Sequence, residues 1–219
     1  MHLGGGTIFV VINQNATGRL FVAADGQVVL EMNGVIHPCG TNEDAFTAVN
    51  VNADRQETFL IDQGGPGGPF TDDRPWSIAM SSGEDVVGVL GTPGPDRVRV
   101  GQVSNSHWID LDGDGVEHHA LADTEFVGIL SRRGHDRLAG QGTPNGVLDP
   151  SLLPLLLNGG RGQDIAVGGS VGDSVAGGRG DDRLRGKLEP DLLIGGKGTD
   201  VCKGGLGADT VASCEKGGP

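Results

Sequence analysis

The feature that most constrains this chain is a nine-residue pattern that recurs six times without interruption between residues 159 and 212. Written as Gly-Gly-x-Gly-x-Asp-x-apolar-x, with some variation, it begins at Gly159, Gly168, Gly177, Gly186, Gly195 and Gly204. Self-similarity at a fixed period indicates a repeat architecture. Up to three glycines in nine residues disfavour a helix, since each costs about 1 kcal/mol in a helix interior relative to alanine. The pattern instead predicts a turn followed by a short strand.

The position of the aspartate within each unit suggests what the repeat does. The aspartate ends the turn, and the residue two places later is apolar and can point into a core. If two units make one coil of a solenoid, the aspartates stack in two columns: Asp164, Asp182 and Asp200 in the first, and Asp173, Asp191 and Asp209 in the second. Carboxylates about 4.8 Å apart repel by roughly 3 kcal/mol at an effective dielectric constant of about 20. Such columns require a cation, and oxygen ligands favour calcium.

At these residues the sequence resembles the repeats-in-toxin, or hemolysin-type calcium-binding repeat, family, and its overall order of segments is similar to that of actinobacterial β-roll repeat proteins. The resemblance implies an all-β, right-handed parallel β-solenoid, or β-roll, with Ca²⁺ held between adjacent coils by aspartates and turn carbonyls. Carried onto matching positions, it implies a metal site made of Gly160, Gly162, Asp164, Gly178, Gly180, Asp182, Gly196, Gly198 and Asp200, with Asp173 and Asp209 in the second column.

The second column departs from the family's pattern. Val171 replaces a glycine, and Lys187 and Glu189 alter the turn that precedes Asp191. We therefore expect calcium to favour the first column, with Asp209 as a further candidate ligand and Asp191 as a poor one.

A metal-free interpretation of the first column also exists. Arg161, Arg179 and Lys197 stack beside the aspartates and could neutralise them. Exposed salt bridges contribute only about 0 to 1 kcal/mol each, however, and would not require the glycines. Calcium is therefore the favoured interpretation.

The composition limits the partners of the chain. Its 219 residues carry a formal charge of −13, which disfavours nucleic acid and anionic membrane surfaces. No apolar run approaches the ~18 to 20 residues of a membrane span. A calcium-dependent fold of this kind predicts an extracellular, secreted and monomeric protein with a cell-surface or extracellular-matrix partner. If so, any secretion signal has been removed or lies outside this chain.

Three regions are expected along the chain. Residues 1–44 predict a β-meander that caps the first coil, because Asp25-Gly26 and Asn33-Gly34 separate apolar runs in the manner of tight hairpins. Residues 45–158 predict a degenerate solenoid with loop insertions, including a protruding loop over 64–75. Residues 159–219 form the predicted calcium-binding β-roll and its cap.

Degenerate copies of the repeat precede the regular ones. The segments 82–88, 91–99 and 132–140 each keep a glycine two residues before an aspartate and an apolar residue two after it. We expect the solenoid to begin well upstream, with metal-free coils there. Residues 141–157 break the period with prolines and an apolar run.

The three cysteines do not make a disulfide framework. Cys202 and Cys214 are close in sequence at the end of the roll and could pair as a terminal staple. The alternative is two free thiols in a reducing compartment. Cys39 is left without a partner in either case.

Other motifs carry weaker expectations. Asp110, Asp112 and Asp114 resemble the opening of an EF-hand loop, but its twelfth position holds Leu121 instead of glutamate. The histidines at 107, 118 and 119 are expected to be surface residues, since adjacent histidines on a strand point to opposite faces. We expect no enzyme activity. The alternatives are an accessory repeat region of a secreted hydrolase or a glycan-binding solenoid.

Overall fold

The computed structural model describes residues 3–4, 7–11, 17–40, 48–52, 58–70, 76–80, 83–104, 106–113, 119–142 and 149–218. Within these ranges the regular secondary structure consists of β-strands alone, which confirms the all-β prediction. The same ranges hold no helix long and apolar enough to cross a bilayer.

In chain order the described strands are β1 (Leu3–Gly4), β2 (Thr7–Val11), β3 (Thr17–Val22), β4 (Val28–Met32), β5 (Val35–Gly40), β6 (Ala48–Asn52), β7 (Thr58–Asp62), β8 (Trp76–Ala79), β9 (Val86–Leu90), β10 (Arg97–Val103), β11 (Ser106–Asp110), β12 (His119–Ala122), β13 (Phe126–Leu130), β14 (Arg137–Ala139), β15 (Asp149–Pro150), β16 (Leu155–Arg161), β17 (Ile165–Val167), β18 (Ser174–Arg179), β19 (Arg183–Lys187), β20 (Leu192–Lys197), β21 (Val201–Gly205), β22 (Thr210–Ala212) and β23 (Lys216–Gly218).

The strands form two long sheets, and the chain passes back and forth between them. The 13-stranded sheet has the order β1-β2-β6-β8-β12-β11-β10-β14-β17-β19-β21-β23, with β15 paired to β10 beside this path. The 10-stranded sheet has the order β22-β20-β18-β16-β13-β9-β7-β3-β4-β5. Most neighbouring strands are parallel, as a solenoid requires, because each coil places its strand beside the strand of the previous coil.

The nine-residue period appears directly in the strand register. Gly160 pairs with Gly178, and Gly178 with Gly196, so one coil contains two repeat units. The apolar residue two places after each aspartate points inward: Leu184 and Leu193 are 1% and 0% exposed. Burial of a leucine side chain contributes about 1.5–3 kcal/mol. One such residue per unit from each sheet therefore fills the narrow core of the roll.

The upstream coils are longer than the repeat. In the regular repeats, the hydrogen bond between aspartates of successive coils joins residues 18 apart, as for Asp164 and Asp182. Upstream, the same kind of bond joins Asp136 to Asp164, 28 residues apart, and Asp96 to Asp136, 40 residues apart. The 40-residue coil includes the antiparallel β10–β11–β12 meander, and the 28-residue coil includes β15. The solenoid thus begins well upstream of the regular repeats, as predicted. Strand β16 crosses the expected boundary at residue 158 without a break, and the three-region division stays a prediction.

The amino-terminal strands differ in part from the expected meander. Strands β3, β4 and β5 are antiparallel and lie at the end of the 10-stranded sheet, where β4 and β5 cover the otherwise open edge. Strands β2 and β3, however, pair in parallel with β6 and β7, so they already belong to the first coil. Hairpin signals identified the turns but could not reveal these long-range parallel partners.

The glycine- and proline-rich segment after β7 does not protrude over its described part, residues 63–70. Gly67 donates its N–H to the carbonyl oxygen of Val22 at 2.9 Å, and Phe70 is only 5% exposed. The Phe70 N–H is bound by the side-chain oxygen of Gln63 at 2.9 Å. The prediction of a protruding loop is therefore wrong here, because the glycines allow close packing against β3. Residues 71–75 lie outside the described residues.

Candidate metal centre

The first aspartate column is a continuous hydrogen-bonded ladder. The backbone N–H of Asp164 donates to Oδ1 of Asp182 at 2.8 Å, and that of Asp182 donates to Oδ1 of Asp200 at 2.8 Å. The ladder extends upstream, since the N–H groups of Asp96 and Asp136 donate in the same way to Asp136 and Asp164. Each carboxylate therefore spans the gap between one coil and the coil before it.

The second column follows the same rule on the opposite edge of the roll. Asp173 donates its N–H to Oδ1 of Asp191 at 2.8 Å, and Asp191 donates to Asp209 at 3.0 Å. Both oxygens of Asp173 are bound, because Oδ1 accepts from the N–H of Leu155 and Oδ2 from that of Gly169. The carboxylate of Asp173 is thus already satisfied by the main chain.

The other repeat aspartates are only half satisfied. Their Oδ2 atoms are buried and have no hydrogen-bond partner within the described part of the chain: Asp136, Asp164, Asp182, Asp191, Asp200 and Asp209. A buried polar atom without a partner costs about 1–3 kcal/mol, and more when it is charged. These unpaired oxygens mark places where a ligand can bind.

Burial acts on the protonation of these groups. It raises the pKa of Asp182 to about 6, against backbone hydrogen bonding that lowers it, and neighbouring aspartates raise it further. The pKa of Asp173 is raised to about 6 and that of Asp136 to about 7, again chiefly by burial. Without a cation, the columns therefore resist full ionisation near neutral pH.

The alternative interpretation, neutralisation by basic side chains, finds no support among the described residues. Arg161, Arg179 and Lys197 are exposed, and among the described residues none of them forms an ion pair with a repeat aspartate. The chain does neutralise a buried carboxylate elsewhere, because Asp62 accepts hydrogen bonds from Arg19 and Arg132. By contrast, the carboxylates of the regular repeats have no ion-pair partner among the residues that the structure describes.

Glycines shape the space around each carboxylate. At the first position of the unit, a Cβ added to Gly177 would collide with Oδ2 of Asp182. At the second and fourth positions, Gly178 and Gly180 have φ of 110° and 129°, which side chains rarely adopt. A Cβ on Gly178 would also meet the carbonyl oxygen of Gly160, so that carbonyl points towards the next turn.

The same backbone conformation recurs at every predicted glycine of the first column. All six have positive φ: Gly160, Gly162, Gly178, Gly180, Gly196 and Gly198. The first-position glycines that make room for Oδ2 were absent from the predicted site, although their strict recurrence in the sequence could have revealed them.

The altered turn of the second column keeps this conformation at a cost. Lys187 and Glu189 have φ of 107° and 63°, where the neighbouring coil has glycines. Their carbonyl oxygens lie where a Cβ on Gly205 and on Gly207 would be. Non-glycine residues in this region are strained by about 1–3 kcal/mol each. Among the turns of residues 159–212, these two non-glycine residues with positive φ both belong to the column that sequence reasoning ranked second.

The ladder ends with a residue that the repeat does not predict. Glu215 accepts the N–H of Asp200 at 2.6 Å through Oε2, although it follows Asp200 by only 15 residues. A disulfide between Cys202 and Cys214, with Cα atoms 6.0 Å apart, holds this segment against the last coil. The pairing agrees with the terminal staple, and Cys39 is a buried thiol outside this disulfide. Glu215 thus takes the role that the next aspartate would have.

These features fit calcium better than they fit a metal held by side chains alone. Within the described ranges, no three His, Cys, Asp or Glu side chains converge on one point. Calcium accepts six to eight oxygens, and main-chain carbonyls are among its usual ligands. Unpaired Oδ2 atoms beside turns whose carbonyls face the next coil supply that donor set.

The described parts of the other predicted metal motifs do not form a comparable site. Asp110 ends β11, and its Oδ1 binds the N–H of Gly113 at 2.6 Å within a hairpin that no helix flanks in the described residues. Asp114, Glu117 and His118 lie outside the described residues. His107 is partly buried in β11, and burial lowers its pKa, so its prediction as a surface residue holds only in part.

Comparison with known proteins agrees with this geometry. Residues 176–211 match the family model of the RTX calcium-binding nonapeptide repeat in four copies. The chain contains RTX repeats. The match begins near the third unit and ends in the sixth. The first two units lie outside it, and they resemble RTX repeats in their strand register and hydrogen bonding. No curated protein and no solved structure matched the chain.

Proposed function

We propose that this chain is an extracellular structural and interaction module whose RTX roll folds around calcium. The observation that carries the proposal is the ladder of buried carboxylates, each with one oxygen bound to the main chain and the other unpaired. Calcium supplies the positive charge that the neighbouring residues do not. Binding and folding are then coupled, because the ligands come together only in the folded coil.

The first column is the proposed main site. Asp164, Asp182 and Asp200 would hold calcium through Oδ2, together with carbonyl oxygens of the glycine turns. In the second column, Asp209 is a further candidate ligand. Asp173 is the weakest, since two N–H groups already occupy its oxygens.

The extracellular setting is supported by two features. Shared-ligand sites for extracellular use typically have dissociation constants of about 10⁻⁴ to 10⁻³ M, which suits millimolar calcium. The disulfide of the last coil is of a kind that persists in oxidising compartments. We propose a binding role and not an enzymatic one, because the chemistry that the half-paired carboxylates support is metal binding.

Equilibrium dialysis with radioactive calcium tests the proposal. The full chain should bind several calcium ions per molecule, and Asp182→Ala should lose at least one of them. Asp181→Ala is the matched control, because Asp181 is the exposed neighbour of Asp182. Equal calcium binding by all three proteins would contradict the proposed site.

A further inference from the structure

Basic residues are concentrated in one of the two sheets. Strands β10, β14, β17, β19, β21 and β23 contain eight Arg and Lys residues, half of the 16 in the chain, and no Asp or Glu. Their core residues Val98, Leu138 and Leu184 are each 1% exposed, so the residues on either side of them point outward. We call these outward cations the basic face: Arg97, Arg99, Arg137, Arg183, Arg185, Lys203 and Lys216.

The strand register arranges the basic face in rows along the solenoid axis. Arg97 is paired with Arg137 on the next strand, and Arg185 is paired with Lys203. Neighbouring strands lie about 4.8 Å apart, so cations recur at short intervals over successive coils. A charged ligand that lies across the strands would meet one or two cations on each strand except β17, where Ile165 and Val167 occupy the two rows.

Most of these cations have no acidic partner. Arg99 is the exception, since its Nε lies 3.9 Å from Oδ2 of Asp110 and its guanidinium binds the carbonyl oxygen of Gly142. Within the described ranges, the exposed side chains of Arg183, Arg185 and Lys203 form no ion pair. Their charges are therefore available to a ligand.

A groove lies at the upstream end of the basic face. Arg97, Arg99 and Arg137 surround a cavity of about 310 Å³, and Ile165 and Val167 contribute apolar lining. Small-molecule sites typically measure about 300–1,000 Å³, so the groove accommodates one small cyclic group. Guanidinium groups bind carboxylate and sulfate oxygens in a bidentate manner.

We propose that the basic face binds a linear acidic polysaccharide, with sulfate or carboxylate groups on the rows of cations and one sugar ring in the groove. The inference rests on charge complementarity between an unpaired basic face and a repeating anion. It goes beyond calcium binding and requires only that the roll be folded.

Nucleic acid fits this face less well. Single-stranded nucleic acid is bound through aromatic side chains on which the bases stack, and β14, β17, β19, β21 and β23 contain no aromatic residue. Sulfate and carboxylate groups bind guanidinium groups without such stacking.

Binding of the full chain to dextran sulfate, with uncharged dextran as the control ligand, tests the proposal at saturating calcium. The variant Arg183→Gln/Arg185→Gln should weaken binding to dextran sulfate by about tenfold and reduce its dependence on salt. The matched control Arg133→Gln/Arg179→Gln removes the same charge from two exposed positions outside the basic face, of which Arg179 is the last residue of β18, and should leave binding within about twofold.

Equal losses in the two double variants would overturn the proposal, because net charge alone would then explain the effect. Absence of binding to dextran sulfate, or tighter binding to single-stranded DNA, would also overturn it. Circular dichroism of each variant in calcium separates the two proposals. A folded, calcium-loaded chain that does not bind dextran sulfate refutes only polysaccharide binding by the basic face. A chain whose spectrum does not change with calcium refutes the proposed function.

Discussion

Replacing Asp182 with asparagine should have opposite effects with and without calcium. The change keeps an oxygen that can accept the N–H of Asp164, and it removes the charge. Burial raises the pKa of Asp182 from 3.8 to about 6, so at pH 7.5 the folded chain carries an ionised carboxylate in an unfavourable place. Asp182→Asn should therefore stabilise the calcium-free chain.

The magnitude follows from the shift. A rise of about two pKa units corresponds to at most about 3 kcal/mol, and screening by water at the edge of the roll reduces this to about 1–2 kcal/mol. In millimolar calcium the sign reverses, because asparagine is a weaker ligand and the variant loses part of the stabilisation that calcium gives to the folded state. The free energy of unfolding at pH 7.5 should thus rise in chelator and fall in calcium.

Circular dichroism measures both effects: in chelator, where the calcium-free roll is largely unfolded, through the fraction that is folded without urea, and in 5 mM calcium through urea unfolding. Asp181→Asn is the control, since it removes the charge of an exposed neighbour and keeps the oxygen that accepts the N–H of Thr199. Asp181→Asn should change stability by less than about 0.5 kcal/mol in either buffer. If Asp182→Asn destabilises the chain equally in both buffers, the carboxylate is structural and the reasoning about calcium fails.

Three further predictions concern pH, the core and the last coil. Because the pKa values of Asp173 and Asp182 are raised in the folded state, the calcium-free chain should be most stable below pH 4 and lose stability as pH rises through about 6. Calcium affinity should fall as pH drops through the same range. Urea midpoints and calcium titrations between pH 4 and 8 would contradict this if the two quantities showed no opposing trends. Leu184→Ala should lower the free energy of unfolding in calcium by about 2–5 kcal/mol, and a loss below 1 kcal/mol would mean that Leu184 is not in a packed core. Cys214→Ser should lower the free energy of unfolding by about 3 kcal/mol, because it opens a loop closed by a disulfide 12 residues apart, and should weaken calcium binding at the end of the ladder, where Glu215 is held. An unchanged melting temperature in calorimetry and an unchanged calcium stoichiometry would argue against that role.

The sequence predicted the regular part of the fold because its period is fixed. Nine residues per unit determine that Asp164, Asp182 and Asp200 stack, and the structure pairs them in that order. The inward direction of Leu184 and Leu193 follows from the same period.

The irregular parts of the fold were not predicted, because their spacing differs from that of the repeat. Asp96 and Asp136 belong to the ladder, but 40 residues separate them, since a β-meander is inserted between their coils. Glu215 replaces the next aspartate after 15 residues instead of 18, and it does so with a longer side chain. Loop packing against Val22 depends on contacts between distant segments, which local turn signals do not contain.

The most direct test of the central claim is a calcium titration of the metal-stripped full chain at pH 7.5, followed by far-ultraviolet circular dichroism. A cooperative gain of β-structure with a midpoint between about 0.1 and 1 mM calcium is the predicted result. A spectrum that already shows the folded chain in chelator and does not change on adding calcium would contradict the account.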